Sequence, residues 1–200
     1  MSFEQVVKIP VERVGVVIGR EGSTKKTLEE ELGVHLDVDG RDGAVTVKSE
    51  GLGKSDPLTA VRVVEAIGRG FSPRRAARLL DEDSALELID LRDYAGKSTN
   101  SMGRIRGRVI GVKGKSRRVI EELTDCYISV YGRSVAIIGS PMEVVLASEA
   151  VKMLASGSQH KTVYNTLQKA RTKKKFERMF LWEGSSPDAV AARAQRTEGD

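Results

Sequence analysis

The chain has 200 residues, of which 40% are hydrophobic and 30% are charged, with a formal net charge of +5. This composition is typical of a globular protein and argues against a disordered one. No apolar run approaches the ~20 residues that span a bilayer, and the start lacks the basic and then apolar order of a signal peptide, so we expect a cytoplasmic protein without membrane contact. Cys126 is the single cysteine, which excludes a disulfide framework and a thiolate metal cluster.

The first half of the chain predicts a unit of three strands and three helices. Its elements, in chain order, are a strand at 6–10, a helix at 11–18, a helix from Ser23 or Thr24 as N-cap to about Leu32, strands at 34–39 and 44–49, and a helix from Pro57 to about Arg69. The strands are rich in β-branched residues or alternate in polarity. Asp56 precedes Pro57, and this pair is typical of an N-cap followed by the first helical position.

The second half predicts the same order of elements. They are a strand at 86–91, helices at 99–110 and 115–123, paired strands in "CYISVYG" and "SVAIIGS", and a helix at 141–155. Between the halves, "FSPRRAARLLDED" predicts a short linker helix with Ser72 as its cap and Pro73 just inside. After them, "HKTVYNTLQKARTKKKFERMFLW" predicts a further basic helix.

The two halves are copies of one unit. Residues 15–40 align with residues 107–132, and the identical pairs are Gly15/Gly107, Val17/Val109, Ile18/Ile110, Gly19/Gly111, Gly22/Gly114, Glu29/Glu121, Glu30/Glu122, Val38/Val130 and Gly40/Gly132. Later stretches correspond with small changes of offset, which differences in loop length would produce. We conclude that a unit of roughly 70 residues is duplicated.

Charge differs between the copies. Residues 1–90 hold 13 Lys and Arg against 17 Asp and Glu, whereas residues 91–200 hold 20 against 11. The halves therefore carry net charges of −4 and +9, which sum to the +5 of the whole chain. A polyanionic partner would interact mainly with the second half.

Each copy has a Gly-x-x-Gly stretch between its first two helices. The spacing alone carries little weight, because 20 glycines in 200 residues give about two such matches by chance. A third match, Gly40 to Gly43, is interpreted as a hairpin turn. In the other two, glycine allows a sharp turn and the close approach of another backbone. The following helix points its free amides and positive dipole end at the loop, which suits the phosphates of a nucleic-acid strand.

No enzymatic site is predicted. The three Gly-Lys-Ser stretches lack the earlier glycine of a P-loop, since Lys48, Leu91 and Val109 occupy that position. His35 and His160 have no metal-ligand spacing to cysteine or acid, and the acidic run at 81–83 is interpreted as a helix end. We therefore expect a non-enzyme that uses neither a cofactor nor a metal.

The element order and the two loops resemble type I KH domains, whose Gly-x-x-Gly loop clamps about four nucleotides of single-stranded RNA. This resemblance implies an α+β fold with two tandem KH domains, each a three-stranded sheet packed by three helices, and a C-terminal basic helix. It also implies an apolar groove floor for bases. That floor would consist of Val17, Ile18 and Leu36 in the first copy and of Val109, Ile110 and Ile128 in the second.

The predicted boundaries follow from this organisation. They are a first KH domain at 1–70, a linker helix at 71–85, a second KH domain at 86–156, a basic C-terminal helix at 157–183 and a disordered tail at 184–200. The basic helix either lies along an RNA backbone or packs its apolar side on the second domain and exposes its lysines.

The second loop is expected to supply more RNA affinity than the first. Val112 and Lys113 make it positive, whereas Arg20 and Glu21 cancel in the first loop. The candidate RNA-binding residues are Gly19, Arg20, Glu21, Gly22, Lys25 and Lys26 in the first copy and Arg104, Arg108, Gly111, Val112, Lys113, Gly114, Lys115, Arg117 and Arg118 in the second. The alternatives are a purely structural first loop and a solvated basic face in the second copy.

The chain resembles the archaeal relatives of the partner-of-Nob-one and KRR-motif small-subunit ribosome assembly factors. The resemblance rests on two type I KH copies without an S1 or OB segment, on the core that contains "GRIRGRVIGVKGKSRRVIEELTDCYISVYG", and on the following "HKTVYNTLQKARTKKKF". It covers about residues 5–180 and is most specific from 86 to 170. It implies binding near the 3′ end of the small-subunit rRNA or its precursor, together with the maturation endonuclease.

The sequence departs from that family in two places. Gly19 and Gly22 are both present, whereas eukaryotic relatives often have a degenerate first loop, so the first domain stays a candidate binder. The second loop carries its charge at Lys113, one place later than the Gly-Lys-Gly-Gly of many relatives.

The leading hypothesis is a single-stranded RNA binder in ribosome assembly. The alternatives are a KH scaffold that binds mainly protein, such as a translation factor or the nuclease, through its acidic first half, and a messenger-RNA or exosome adaptor.

Overall fold

The computed structural model describes residues 2–49, 55–95 and 101–182, with side chains as far as residue 177. The first unit consists of β1 (Phe3–Lys8), α1 (Val11–Ile18), α2 (Ser23–Leu32), β2 (His35–Val38), β3 (Ala44–Ser49) and α3 (Pro57–Gly68). Then come α4 (Pro73–Ala76) and a 3-10 turn (Ala77–Leu80). The second unit consists of β4 (Ala85–Asp90), α5 (Ser101–Ile110), α6 (Lys115–Thr124), β5 (Tyr127–Tyr131), β6 (Ser134–Gly139) and α7 (Pro141–Ala155), and α8 (His160–Trp182) follows. The predicted tail at 184–200 lies outside the described residues.

The predicted fold class is confirmed. Each unit forms a three-stranded antiparallel sheet, in the order β1-β3-β2 and β4-β6-β5, with its helices on one face. The middle strand is therefore the last of the three in sequence in both units. This order leaves β2 and β5 at the edges of their sheets, next to α2 and α6.

Local sequence explains where several helices and strands begin or end. The side chain of Asp56 accepts a hydrogen bond from the backbone N–H of Thr59 at 3.0 Å, which confirms it as the cap of α3 and lowers the pKa of Asp56. Ser72 caps α4 in the same way through the N–H of Arg75 at 3.4 Å. The first strand ends at Lys8 and not at residue 10, because Pro10 is already the N-cap of α1.

The N-cap predicted for α2 is wrong. Ser23 is the first helical residue, and Gly22 occupies the cap position in the left-handed conformation without a side-chain cap. Glycine adopts this conformation without the Cβ penalty that other residues pay. The Gly40 to Gly43 stretch does form the turn between β2 and β3, as predicted.

The second sheet is buried on both of its faces. In β3 buried and half-buried residues alternate, whereas all six residues of β6 are buried. Val135 and Ile137 belong to the core of the second unit, while Ala136 and Ile138 belong to the core of the first. The outer face of this sheet is therefore covered by the preceding part of the chain.

The segment predicted as a linker helix provides much of that cover. Phe71, Ala76 and Leu79 are each at most 2% exposed and belong to the core that also contains Ala136 and Ile138. These side chains therefore extend the core of the first unit onto the outer face of the second sheet.

Polar contacts border this interface. The guanidinium groups of Arg75 and Arg78 lie over the ring of Tyr127, 5.0 and 5.3 Å from its centroid. The hydroxyl of Ser129 donates to the carbonyl of Arg69 at 2.9 Å, and the hydroxyl of Tyr131 donates to Glu12. The edge strand of the second sheet is thus hydrogen-bonded to the first unit.

The C-terminal helix α8 packs on the second unit with its first half. Val163 and Leu167 are buried against α6 and α7, whereas residues 171–177 are exposed. Lys174 pairs with Glu143 of α7 at 2.7 Å. Within the described part of the chain, no helix combines the length and apolarity needed to cross a membrane. Cys126 is buried as predicted, and burial raises its pKa to about 11.

The burial of Leu79 predicts a large loss of stability on truncation. Leu79→Ala should lower the free energy of unfolding by about 2–5 kcal/mol, because it leaves a cavity where the first core covers the second sheet. Leu58→Ala is the matched control, since Leu58 is 61% exposed, and it should change stability by no more than about 0.5 kcal/mol. Urea unfolding followed by circular dichroism measures both, and equal effects would contradict the burial of Leu79 at this interface.

Candidate nucleic-acid interface

The two Gly-x-x-Gly loops have nearly the same backbone conformation. Gly19 and Gly22 have φ of 75° and 78°, and Gly111 and Gly114 have φ of 73° and 75°. Glu21 and Lys113, at the third loop position, are also left-handed, with φ of 50° and 51°. Such a run of positive φ turns the chain sharply between one helix and the next.

The first glycine of each loop is required by space as well as by conformation. A Cβ added to Gly111 would lie 2.6 Å from the backbone nitrogen of Ser116, and one added to Gly19 would lie 2.7 Å from that of Thr24. By contrast, a Cβ on Gly114 would meet no atom within 4 Å among the described residues. The backbone conformation therefore favours glycine at both loop positions, and lack of space is a second requirement at the first position.

The second loop is open to solvent. Val112 is 82% exposed and Lys113 is exposed, while the two glycines are half-buried. Helix α6 begins after Gly114 without a side-chain cap, and the backbone N–H of Lys115 donates to the carbonyl of Val112. An exposed apolar side chain beside the positive end of a helix is suited to an anionic ligand with an apolar part.

The predicted cations around the second loop divide into two groups. Arg104, Lys113 and Lys115 are exposed, as is the neighbouring Arg106. Exposed cations without acid neighbours in the sequence leave their charge available to phosphate.

The other three predicted cations make contacts within the protein. Arg108 donates to the carbonyls of Leu154 at 3.2 Å and Ser158 at 2.8 Å. Arg118 donates to the carbonyl of Lys113 at 3.0 Å, which ties α6 to the loop. The Nε atom of Arg117 is buried without a hydrogen-bond partner in the described structure, 3.8 Å from Glu121. Arg108 and Arg118 therefore keep their charge while their guanidinium groups are held in place, and Arg117 lies next to a carboxylate.

The first loop is also exposed, but its charges differ. Arg20, Glu21 and Lys26 are exposed, whereas Lys25 is half-buried and lies 3.9 Å from Glu29. A carboxylate at the third loop position, where the second loop has Lys113, opposes the approach of a phosphate.

The predicted groove floor is largely wrong. Val17, Leu36 and Val109 have no exposed surface, and Ile128 is 1% exposed, so these four residues belong to the cores. Only Ile18 and Ile110, at the ends of α1 and α5, are half-buried and offer apolar surface beside the loops. The sequence pattern identified apolar positions correctly but could not separate the core face from the groove.

In each unit a carboxylate that was not among the predicted site residues joins the second helix to the edge strand. Glu121 accepts a hydrogen bond from the backbone N–H of Ile128 at 2.8 Å, and Glu29 accepts one from Leu36 at 2.7 Å. Each carboxylate thus fixes its second helix to the edge strand of its sheet. The identity of the pair Glu29/Glu121 in the internal repeat was the signal that could have found them.

The described residues hold no group of three or more His, Cys, Asp or Glu side chains that could bind a metal ion. His160 instead donates from Nε2 to the carbonyl of Arg108 at 2.9 Å.

Comparison with known proteins identifies the two units. Residues 85–172 match the family described as eukaryotic type KH-domain (KH-domain type I), and residues 4–66 match the KH domain family. The chain is 48% identical over 185 residues to a KH domain-containing protein of Methanocaldococcus jannaschii, which covers 91% of this chain and 80% of that protein. The chain belongs to the KH-domain family.

Further relatives indicate the group of KH-domain proteins to which this chain is related. The pre-rRNA-processing protein PNO1 of Chaetomium thermophilum is 32% identical over 109 residues, which are 52% of this chain and 41% of PNO1. The structure of Dim2p from Pyrococcus horikoshii is 44% identical with a TM-score of 0.77, covering 84% of this chain and 99% of that one. A chain in the a/eIF2alpha-aDim2p-rRNA complex of the same organism is 42% identical with a TM-score of 0.80, covering 86% and 96%. The predicted relationship of this KH-domain chain to the PNO1 group is confirmed.

The loop geometry predicts unequal effects of alanine at the two glycines. Gly111→Ala should cost about 3 kcal/mol of unfolding free energy, because the backbone there suits only glycine and the new Cβ overlaps Ser116. Gly114→Ala is the matched control in the same loop and should cost about 1 kcal/mol, the strain of a left-handed alanine alone. Thermal unfolding measures the difference, and a larger cost at Gly114 would contradict the geometry.

Proposed function

We propose that this protein binds single-stranded RNA during assembly of the small ribosomal subunit, and that its target is the 3′ region of the small-subunit rRNA or its precursor. The observation that carries the proposal is the exposed loop from Gly111 to Gly114, with the uncapped start of α6 behind it and exposed cations on both sides. Relatives whose names include pre-rRNA processing and an rRNA complex support the assignment.

The loop recognises the backbone of the strand. The positive end of the α6 dipole points at the loop and attracts the phosphates of a strand that lies there. Lys113 projects from the loop as an exposed cation and binds a neighbouring phosphate. This arrangement fixes the position of the strand without reading its bases.

The bases are recognised beside α5. The half-buried Ile110 and the exposed Val112 offer apolar surface next to the phosphate contacts. Bases can stack or pack there while their polar edges remain free, which is the mode of single-strand recognition in KH domains. The N–H of Ile128 at the sheet edge already donates to Glu121, so this backbone group does not read a base in the present conformation.

A second proposal concerns protein partners. The first unit exposes acidic residues on α2 and on the hairpin that joins β2 and β3, namely Glu30, Glu31, Asp39 and Asp42. Together with the complex that includes a/eIF2alpha and a Dim2p relative, this surface favours a translation factor or the maturation nuclease as a partner of the first domain. An mRNA or exosome adaptor has no comparable support.

The RNA proposal predicts loss of binding on charge reversal in the second loop. The double variant Val112→Asp and Lys113→Asp should weaken binding of a 12-nucleotide RNA from the 3′ end of the small-subunit rRNA at least tenfold, because it repels phosphate. The fold should persist, since both side chains are exposed and aspartate tolerates the left-handed backbone of Lys113. Fluorescence anisotropy measures the affinity.

The first loop provides the matched control. Arg20→Asp with Glu21→Asp changes the same two loop positions and should weaken binding less, because that loop begins without net charge. Unchanged affinity of the second-loop variant would contradict RNA capture by this loop. If only the first-loop variant lost affinity, the roles of the domains would be reversed.

Salt dependence gives an independent prediction. If two to four phosphates are neutralised, the logarithm of the affinity should fall with the logarithm of salt concentration at a slope of roughly −1.4 to −2.8. Titrations of the same RNA between about 50 and 300 mM KCl measure the slope. A flat response would argue against phosphate recognition.

A further inference from the structure

A cavity of about 600 Å³ lies beside the second loop, where the start of α8 approaches α5 and α6. We call it the α8 pocket. Its walls are formed by Arg104, Gly107, Arg108, Gly111, Val112, Lys115, Ser116, His160 and Tyr164. It shares Gly111 and Val112 with the loop, so a strand on the loop passes its opening.

The α8 pocket is distinct from the surface next to Ile110. Gly107 and Arg108 follow Arg104 by three and four residues, so the three residues lie on one face of α5. Ile110 lies two residues after Arg108, about 160° away around the helix axis at about 100° per residue. A base in the pocket would therefore lie on a different side of α5 from a base that contacts Ile110.

Two aromatic rings form the wall contributed by α8. His160 and Tyr164 meet edge to face, with ring centroids 6.0 Å apart. His160 is fixed by its Nε2–H bond to the carbonyl of Arg108 at 2.9 Å, which leaves Nδ1 as the ring nitrogen that can accept. Tyr164 is half-buried, so part of its ring is available to a ligand.

The charge of the pocket suits a nucleotide. Arg104 and Lys115 are exposed, and none of the described residues that line the pocket is acidic. Arg108 makes its hydrogen bonds to Leu154 and Ser158 and so acts as a wall. Two cations beside an aromatic ring match a phosphate and its base.

A buried hydroxyl in the wall lacks a partner. Ser116 is 1% exposed, and its Oγ atom makes no hydrogen bond to any residue that the structure describes. Buried polar groups in proteins are nearly always paired, so this hydroxyl can pair with a polar atom placed against the wall. The polar edge of a base would supply that partner.

We propose that the α8 pocket binds one base of the RNA strand, adjoining the nucleotides held by the loop. This inference rests on the proposed function and adds a nucleotide to it. The base stacks on Tyr164, its polar edge meets Ser116, and its phosphate lies between Arg104 and Lys115. The packing of Val163 and Leu167 on the second unit thus holds α8 where it completes a nucleotide site.

Removal of the aromatic ring tests the proposal. Tyr164→Ala in the full chain should weaken binding of the same 12-nucleotide RNA by roughly 5- to 100-fold, the range expected for one stacked base. Tyr164→Phe keeps the ring and should bind within about threefold of the natural protein. Thermal unfolding of both variants confirms the fold, and loss of RNA binding by Tyr164→Phe to the same extent as by Tyr164→Ala would overturn stacking.

An abasic scan locates the base. Each nucleotide of the 12-mer is replaced in turn by an abasic one, and one position should cost affinity with the natural protein but not with Tyr164→Ala. Identical abasic profiles for the two proteins would overturn the proposal. Adenosine and uridine monophosphate are titrated in parallel, and binding as tight as that of the 12-mer would assign the pocket to free nucleotides instead.

The loop variant separates the two proposals. If Val112→Asp with Lys113→Asp abolishes binding while Tyr164→Ala binds normally, the α8 pocket is rejected and the proposed function stands. If neither change affects RNA affinity, the proposed function fails and the pocket proposal fails with it.

Discussion

The interface depends on the absence of a side chain at Gly111. The backbone of α5 turns at this residue so tightly that the nitrogen of Ser116 lies 2.6 Å from where a Cβ would be. Because the turn is this close, α6 starts immediately after the loop, and its uncapped start lies beside the last turn of α5. The cations, the apolar surface and the neighbouring pocket are all arranged around this point.

Both copies of the unit keep a carboxylate that joins the second helix to the edge strand, but the residues around this carboxylate differ. Glu29 and Glu121 each hold the edge strand through a backbone N–H, but Glu121 also lies 3.3 Å from Arg75 of the intervening segment. In the first copy Glu29 lies 3.1 Å from His35 of the edge strand and 3.9 Å from Lys25 of its own helix. Glu121 therefore contacts both its own sheet and the segment between the units, whereas these contacts of Glu29 lie within the first unit.

Much of this organisation could be predicted from the sequence. The repeat, the α+β class, the loops and the capping role of Asp56 follow from local patterns, because glycine spacing, alternation and capping residues act over a few neighbours. The groove floor could not be predicted, since Val109 and Ile110 are adjacent apolar residues and only the packing of α5 decides which of them is buried. The contacts of Arg108 within the protein could not be predicted either. Its carbonyl partners lie 46 and 50 residues away in the chain.

The burial of β6 on both faces affects how the protein can be divided. A fragment that starts at β4 would keep the second loop and α8 but would leave Ala136 and Ile138 without Phe71 and Leu79 above them. Such a fragment would present a flat apolar strand face to water, which is a surface prone to self-association. Recombinant fragments intended to isolate the basic half should therefore begin upstream of Phe71, so that the natural cover of the sheet is carried along.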